Sequence, residues 1–232
     1  MIDRSVLPVV SVNVAMTADG KLAPDSRHFV PFSSGRDRKL MMELRSRADA
    51  VMSGARTIDL AEVDLGPGGK KYQRARLENG LAEFNLRVIV SGSASINPRA
   101  HIFSKRFSPI LLLASEAAPA RRLQGLSKLV DDMFVSPGTS IRFREAFAWL
   151  REKWHIQQLL CEGGGEINAA LFQAGLVDYL HLTICPLVFG GRSAPTLADG
   201  MGISQLSQSI RLKLTRRELA GKELYCAYSV IK

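Results

Sequence analysis

The 232-residue chain predicts an α/β fold, with a mainly parallel central sheet flanked by helices and a C-terminal antiparallel hairpin. Three observations carry this. Apolar runs of strand length alternate with segments of helical period from residue 9 to residue 184, the order that builds parallel sheets through crossover helices. From Ile156 the chain runs apolar strand, three glycines (Gly163, Gly164, Gly165), then Ile167, Leu171, Ala174 and Leu176 at helical spacing. Finally, Ile210 to Leu219 and Glu223 to Ile231 alternate in period two about Gly221-Lys222, as hairpin strands do.

Each element has a local reason. Val9 to Met16 alternates as a strand, and Arg36 to Ala48 reads as a helix whose first amides Ser33 or Ser34 would cap. Ala50 to Ser53, Leu86 to Val90 and Ile110 to Ala114 are short and rich in Val, Ile and Leu, as buried parallel strands are. A helix around Ala117 to Leu126, a short strand at Phe134 and Val135, and an amphipathic helix from Phe143 to Lys153 follow. Asp178 to Ile184 is a strand that stops at Pro186, which has no amide to donate. Gly66 to Tyr72 shows no apolar period and reads as a polar flexible loop, a candidate substrate lid. With no repeat or low-complexity tract, one domain over residues 1–232 is expected.

The glycine turn carries the chemistry. Without a Cβ in the way, backbone N–H groups and the unpartnered amides of a helix first turn can close on a phosphate, so a phosphate or dinucleotide is the natural ligand. The same glycines also suit any tight strand-to-helix turn. The pattern is not G-x-G-x-x-G, and no acidic residue ends a second strand about 20 residues on.

Net charge is +9, from 31 Lys and Arg against 22 Asp and Glu. The basic residues are dispersed over Arg36–Arg47, Lys70, Lys71, Arg74 and Arg76, Arg121 and Arg122, and Arg216 and Arg217. They read as solvated faces that attract anionic small molecules, and no nucleic-acid-binding module accompanies them. Cys161, Cys185 and Cys226 lie in apolar runs, so buried reduced thiols are expected and no metal site. The H-x-E and P-C-x-x-C pattern of zinc deaminases is missing from the sequence. No apolar run approaches the roughly 18–20 residues of a membrane span. The N-terminal stretch has Asp3 beside Arg4 and no small-residue cleavage site, so a cytoplasmic protein is expected.

Three blocks together resemble a known family. They are Met16-Thr17-Ala18-Asp19-Gly20-Lys21-Leu22-Ala23; then Leu44-Arg45 with Asp49 to Gly54 and Thr57; then Glu162-Gly163-Gly164-Gly165 with Gly175-Leu176-Val177-Asp178 and Pro186 to Gly191. In this order they resemble the reductase domain of the riboflavin-biosynthesis deaminase/reductase proteins, whose fold is dihydrofolate reductase-like. The resemblance implies an NADPH-dependent reductase that converts the ring-opened ribose of a 5-amino-6-(5-phosphoribosylamino)uracil-type pyrimidine to ribityl by hydride transfer. It also implies a homodimer.

Carried over by that resemblance, Gly164, Gly165, Glu166, Ile167, Asn168, Ala169 and Ala170 would hold the cofactor, with its pyrophosphate on the loop amides. Ala15, His28 and Thr57 would lie beside it, and Ser26, Arg45, Leu65 and Glu162 would contact substrate. Arg45 is otherwise a helix-surface charge, and Asp19 is either at the site entrance or an ordinary turn residue. Arg56 is a candidate partner for a 2′-phosphate; no general acid or base stands out.

The chain departs from the family after Thr57. Ala61 stands where a cofactor-contacting aspartate is expected and Gly68 where a substrate-phosphate arginine is, so Lys70, Lys71 or Arg74 would have to supply that charge. His28 replaces a common tryptophan, and Ser91-Gly92 replaces D-S. These changes leave two alternatives: a reductase of the same fold acting on another heterocyclic or carbonyl compound, or a dinucleotide-binding protein without catalysis.

Overall fold

The computed structural model describes residues 2–26, 31–60 and 62–231. It forms two compact units, one of residues up to 9 with 42–160, the other of residues 10–41 with 161 onward. The strands are β1 (Val9–Thr17), β2 (Ala50–Gly54), β3 (Leu86–Val90), β4 (Ile110–Ser115), β5 (Asp132–Ser136), β6 (Gln158–Cys161), β7 (Tyr179–Cys185), β8 (Leu212–Ala220) and β9 (Glu223–Val230). The helices are α1 (Gly35–Arg45), α2 (Ala55–Leu60), α3 (Lys70–Glu78), α4 (His101–Ser104), α5 (Ala120–Leu126), α6 (Phe143–Trp154) and α7 (Gly165–Gln173).

In the first unit the strand order is β5-β4-β3-β2-β6, with β2, β3, β4 and β5 paired in parallel. Parallel strands are buried on both faces, and β3 and β4 are apolar runs accordingly, apart from Arg87 and Ser115. Val51, Ile58, Leu65, Ile89, Ile102 and Leu112 anchor one apolar cluster there. In the second unit the order is β1-β7-β9-β8. Here β1 and β7 are parallel, while β7/β9 and β8/β9 are antiparallel, giving the expected C-terminal hairpin.

Register is set at the N-terminal ends of the strands by three aspartates, each just before a strand. Asp49 Oδ2 accepts from the amides of Gln157 and Gln158, both at 2.8 Å. Asp131 Oδ2 accepts from Ile110 at 2.8 Å, and Asp178 Oδ2 from Val10 at 2.8 Å. A carboxylate bonded to a neighbouring strand's first amide resists a one-residue slip, which would turn every side chain to the wrong face.

Two readings of the sequence are corrected in the first unit. Residues 66–72 are not a flexible polar loop, because Leu65, Gly66 and Pro67 are buried and α3 starts at Lys70. Glycines and lysines hid this helix, being poor signals of helical period. Arg76 is not part of a solvated basic face: it is 1% exposed, on the inner side of α3. Its Nη1 donates to the carbonyls of Arg45 at 2.7 Å and Ala48 at 2.6 Å, and its Nε to Ala82 at 2.8 Å. A cation there satisfies carbonyls that the C-terminus of α1 leaves open and sits at the negative end of that helix. Of the two proposed caps for α1, Ser34 fills the role, its Oγ accepting from Arg36 N at 3.2 Å.

Candidate active site

Strand β6 ends at Cys161 and α7 begins at Gly165, so the turn between them is Glu162-Gly163-Gly164. Its three neighbouring glycines are there for three different reasons. Gly163 has φ +74°, and a Cβ there would lie 3.3 Å from Val14 and 3.4 Å from Asn168. Gly164 has φ +104° with open space around it, so backbone conformation, not crowding, demands glycine. It is also the Ncap of α7, with no side chain capping the helix. Unclaimed first-turn amides behind an open glycine fit an anion such as a pyrophosphate.

At Gly165 the demand for glycine is steric. A Cβ there would fall 2.5 Å from the carbonyl oxygen of Thr196 and closer still to the Asp199 carboxylate. The close approach that this glycine permits is made by the protein's own 196–199 segment. Asn168 is likewise turned inward: it is fully buried, its Nδ2 donates to Leu197 O at 2.9 Å, and its Oδ1 lies 3.8 Å from the Cys161 thiol. The Asn168 side chain is thus engaged with Leu197 and Cys161. Ala169 is also buried, while Gly164 and Glu166 are exposed and Ile167 and Ala170 half-buried. Glu162 is half-buried at the C-terminal end of β6, where α/β proteins place ligand-binding groups.

The other motif residues of this unit build a scaffold. The carboxylate of Asp19 accepts from Thr17 Oγ1 at 2.5 Å, Phe189 N at 3.2 Å and Gly190 N at 2.7 Å. The Thr17 hydroxyl foremost, then the amides of Gly190 and Phe189, hold its pKa below the usual carboxylate range. Asp19 thus joins the D-G turn to the P-x-x-F-G-G segment, and its architectural reading is the one realised. Leu22 N donates to Pro195 O at 2.8 Å and Ser193 Oγ to Asp25 at 2.6 Å, continuing the seam. On β1, Asn13 is 8% exposed and its Oδ1 has no hydrogen-bond partner among the described residues. Ala15, two residues on along the same face, is half-buried, and Ser26 is exposed. Asn13 was missed in the sequence, although a polar residue inside an apolar strand is a usable signal. His28 and Ala61 lie outside the described residues.

In the first unit, Arg45 is 6% exposed and its Nη1 donates to Gly66 O at 2.6 Å, so it is not a helix-surface charge. Leu65 is 1% exposed with φ +56°, its side chain in the apolar cluster and its carbonyl accepting from Asn85 Nδ2 at 2.8 Å. A buried leucine has no side chain to offer a ligand, so any contact it makes comes from backbone. Gly66 packs on Phe107, where a Cβ would lie 2.7 Å from the ring. These contacts tie residues 65–66 into the packing of this unit. Thr57 is half-buried on α2, Arg56 is exposed, and Lys70, Lys71 and Arg74 are exposed on α3. Cys161, Cys185 and Cys226 are buried free thiols, and no metal-ligating cluster occurs among the described residues.

An α/β fold with a glycine turn opening onto a helix start that no side chain caps is suited to hold a phosphate or other anion. The chain belongs to the RibD C-terminal domain family, which its sequence matches over residues 8–225. It is 32% identical to the 2,5-diamino-6-ribosylamino-4(3H)-pyrimidinone 5′-phosphate reductase of Methanothermobacter thermautotrophicus, over 96% of this chain and 98% of that one. To the enzyme of the same name from Aquifex aeolicus it is 25% identical, over 97% of both chains. A pyrimidine reductase-like protein from Corynebacterium diphtheriae shares the fold, with a TM-score of 0.78 at 22% identity over 97% of this chain and 92% of that one. The chain is accordingly an oxidoreductase of a riboflavin-biosynthesis reductase family. Among the described residues, no helix is long and apolar enough to cross a membrane.

Proposed function

We propose that this protein is an NADPH-dependent reductase of a phosphorylated ribosylaminopyrimidine, taking the ring-opened sugar to its ribityl form. The observation that carries the reading is Gly164, open and at positive φ at the uncapped start of α7 in a chain of this family. The amides following Gly164 would take the cofactor's pyrophosphate, with Ala15, His28 and Thr57 beside the dinucleotide. When bound, NADPH supplies the hydride; the protein supplies position and electrostatics. Glu162 and Ser26 would bind substrate hydroxyls. Asn13 Oδ1, buried without a donor, favours a ligand that brings an N–H, since an unmet buried acceptor costs about 1–3 kcal/mol. Arg45 and Leu65 would act by shaping residues 64–67, and Lys70 or Lys71 would meet the phosphate.

Both units would serve as one reductase domain over residues 1–232, a reading supported by the single family match across 8–225. We expect a cytoplasmic homodimer that binds neither nucleic acid nor membrane. The outermost strand, β8, exposes Leu212, Leu214 and Leu219 (37%, 45% and 74%), a surface suited to a second copy. Light scattering on the eluting protein tests the dimer.

The decisive assay mixes protein and NADPH with the 2,5-diamino pyrimidinone phosphate named for the relatives, then with the 5-amino uracil compound, at the reduced-nicotinamide band. Oxidation with either establishes the function. Binding of NADPH without oxidation favours a different heterocycle or carbonyl substrate, a second reading that the sequence of residues 59–76 supports. No binding of NADPH overturns both.

A further inference from the structure

Residues 196–199 form a turn that closes on itself through one carboxylate oxygen. Asp199 Oδ1 accepts from Thr196 N at 3.0 Å and from Thr196 Oγ1 at 2.7 Å. The turn then grips both ends of the first turn of α7. Asp199 N donates to Gly165 O at 2.9 Å, and Asn168 Nδ2 donates to Leu197 O at 2.9 Å. Thr196 O and the Asp199 carboxylate rest against the Gly165 Cα, in space that any side chain would fill. Gly164 and Gly165 would otherwise leave this helix start loose, because glycine constrains the backbone least and no side chain caps α7.

We propose that Asp199 is a positioning residue for the dinucleotide-binding turn, fixing the first-turn amides of α7 where a pyrophosphate meets them. This rests on the cofactor reading above. Asp199 need not touch the ligand; it acts through Thr196, Gly165 and Asn168. What matters is the acceptor at Oδ1, because that atom takes both donors of Thr196. Asparagine retains such an acceptor and alanine does not, so the two substitutions separate the latch from the charge.

The test compares wild type, Asp199→Asn, Asp199→Ala and Thr196→Val. Two quantities are read: the NADPH dissociation constant by fluorescence, and amide hydrogen exchange across residues 163–169 without ligand. Alanine is expected to raise the dissociation constant at least tenfold and to speed exchange of the Asn168 amide, which donates to Gly164 O, by a similar factor. The KM for NADPH should rise while kcat stays within twofold, and asparagine should remain within threefold of wild type in every readout. Thr196→Val removes one donor only, keeps the scaffold if alanine unfolds it, and is expected to give a smaller rise in both quantities. Alanine behaving as wild type, asparagine as impaired as alanine, or an unchanged Thr196→Val would each overturn the proposal. A wild-type protein that does not bind NADPH would overturn the cofactor reading instead, with exchange still reporting on the latch.

Discussion

Replacing Arg76 by methionine tests whether a charge that reads as surface is structural. The guanidinium makes three bonds of 2.6–2.8 Å to the carbonyls of Arg45, Ala48 and Ala82 and is 1% exposed. Bonds from a charged donor contribute about 1.5–3 kcal/mol each, and a carbonyl left buried and unmet costs a further ~1–3 kcal/mol. Against this, methionine removes the expense of burying a cation, several kcal/mol, and fills most of the same volume. Burial already holds the Arg76 pKa below the usual arginine range, with Asp49 opposing, so that offset is real. The net expectation is a loss of about 3–5 kcal/mol, because three bonds from a charged donor and the carbonyls they leave unmet outweigh the relief from burying a cation. For a chain of this size each kcal/mol moves Tm by about 2–4 °C, so the shift should be roughly 6–20 °C. Calorimetry or thermal circular dichroism measures it, with exposed Arg74→Met as the control, expected within about 0.5 kcal/mol of wild type. An Arg76→Met protein as stable as Arg74→Met would refute the reasoning.

Three further outcomes are expected. Gly165→Ala drives a methyl into the Thr196 carbonyl and should lower stability by about 1–3 kcal/mol, read by urea unfolding; an unchanged midpoint contradicts the packing described. Glu162→Gln should keep NADPH binding and reduce turnover, whereas full turnover would make Glu162 structural. Burial pushes the thiols of Cys161 and Cys185 up to about 12, above the ordinary value near 8.5 in an unfolded chain. Their folded pKa values are raised, so the stability they contribute is whole below about pH 8.5 and is lost as pH climbs toward 12. A thiol reagent at pH 8 should therefore label none of the three buried cysteines until denaturant is added, and rapid native labelling would contradict their burial.

Periodicity exposed most of the architecture because the strands are apolar runs bounded by turn residues. Leu86–Val90 begins and ends where the pattern says, and both hairpin strands are found with their glycine turn. Helix α3 was illegible because its first turn is Lys70-Lys71 after a glycine-rich stretch, and only Arg76 and its partners explain why it folds there. The site divides similarly. Glycines in a strand-to-helix turn are visible in sequence, but their separate causes are not: Gly165 answers to Asp199, more than 30 residues on. Asp19 and Asp178 look like chemistry inside family motifs, yet both carboxylates bind backbone amides. Arg45 and Leu65, which the family resemblance would set against substrate, are buried, with Arg45 donating to Gly66 O and Leu65 O accepting from Asn85.

The aspartates preceding β2, β5 and β7 have an evolutionary consequence. They settle alignment at one end of the strands, independently of whatever happens at the other. Loops at the opposite end can then lengthen, shorten or change character without shifting the framework. That separation would let a stretch such as the one after Thr57 vary while the sheet keeps its pairing. New substrate preferences in such a fold can arise by rewriting loops alone, with no compensating change in the core.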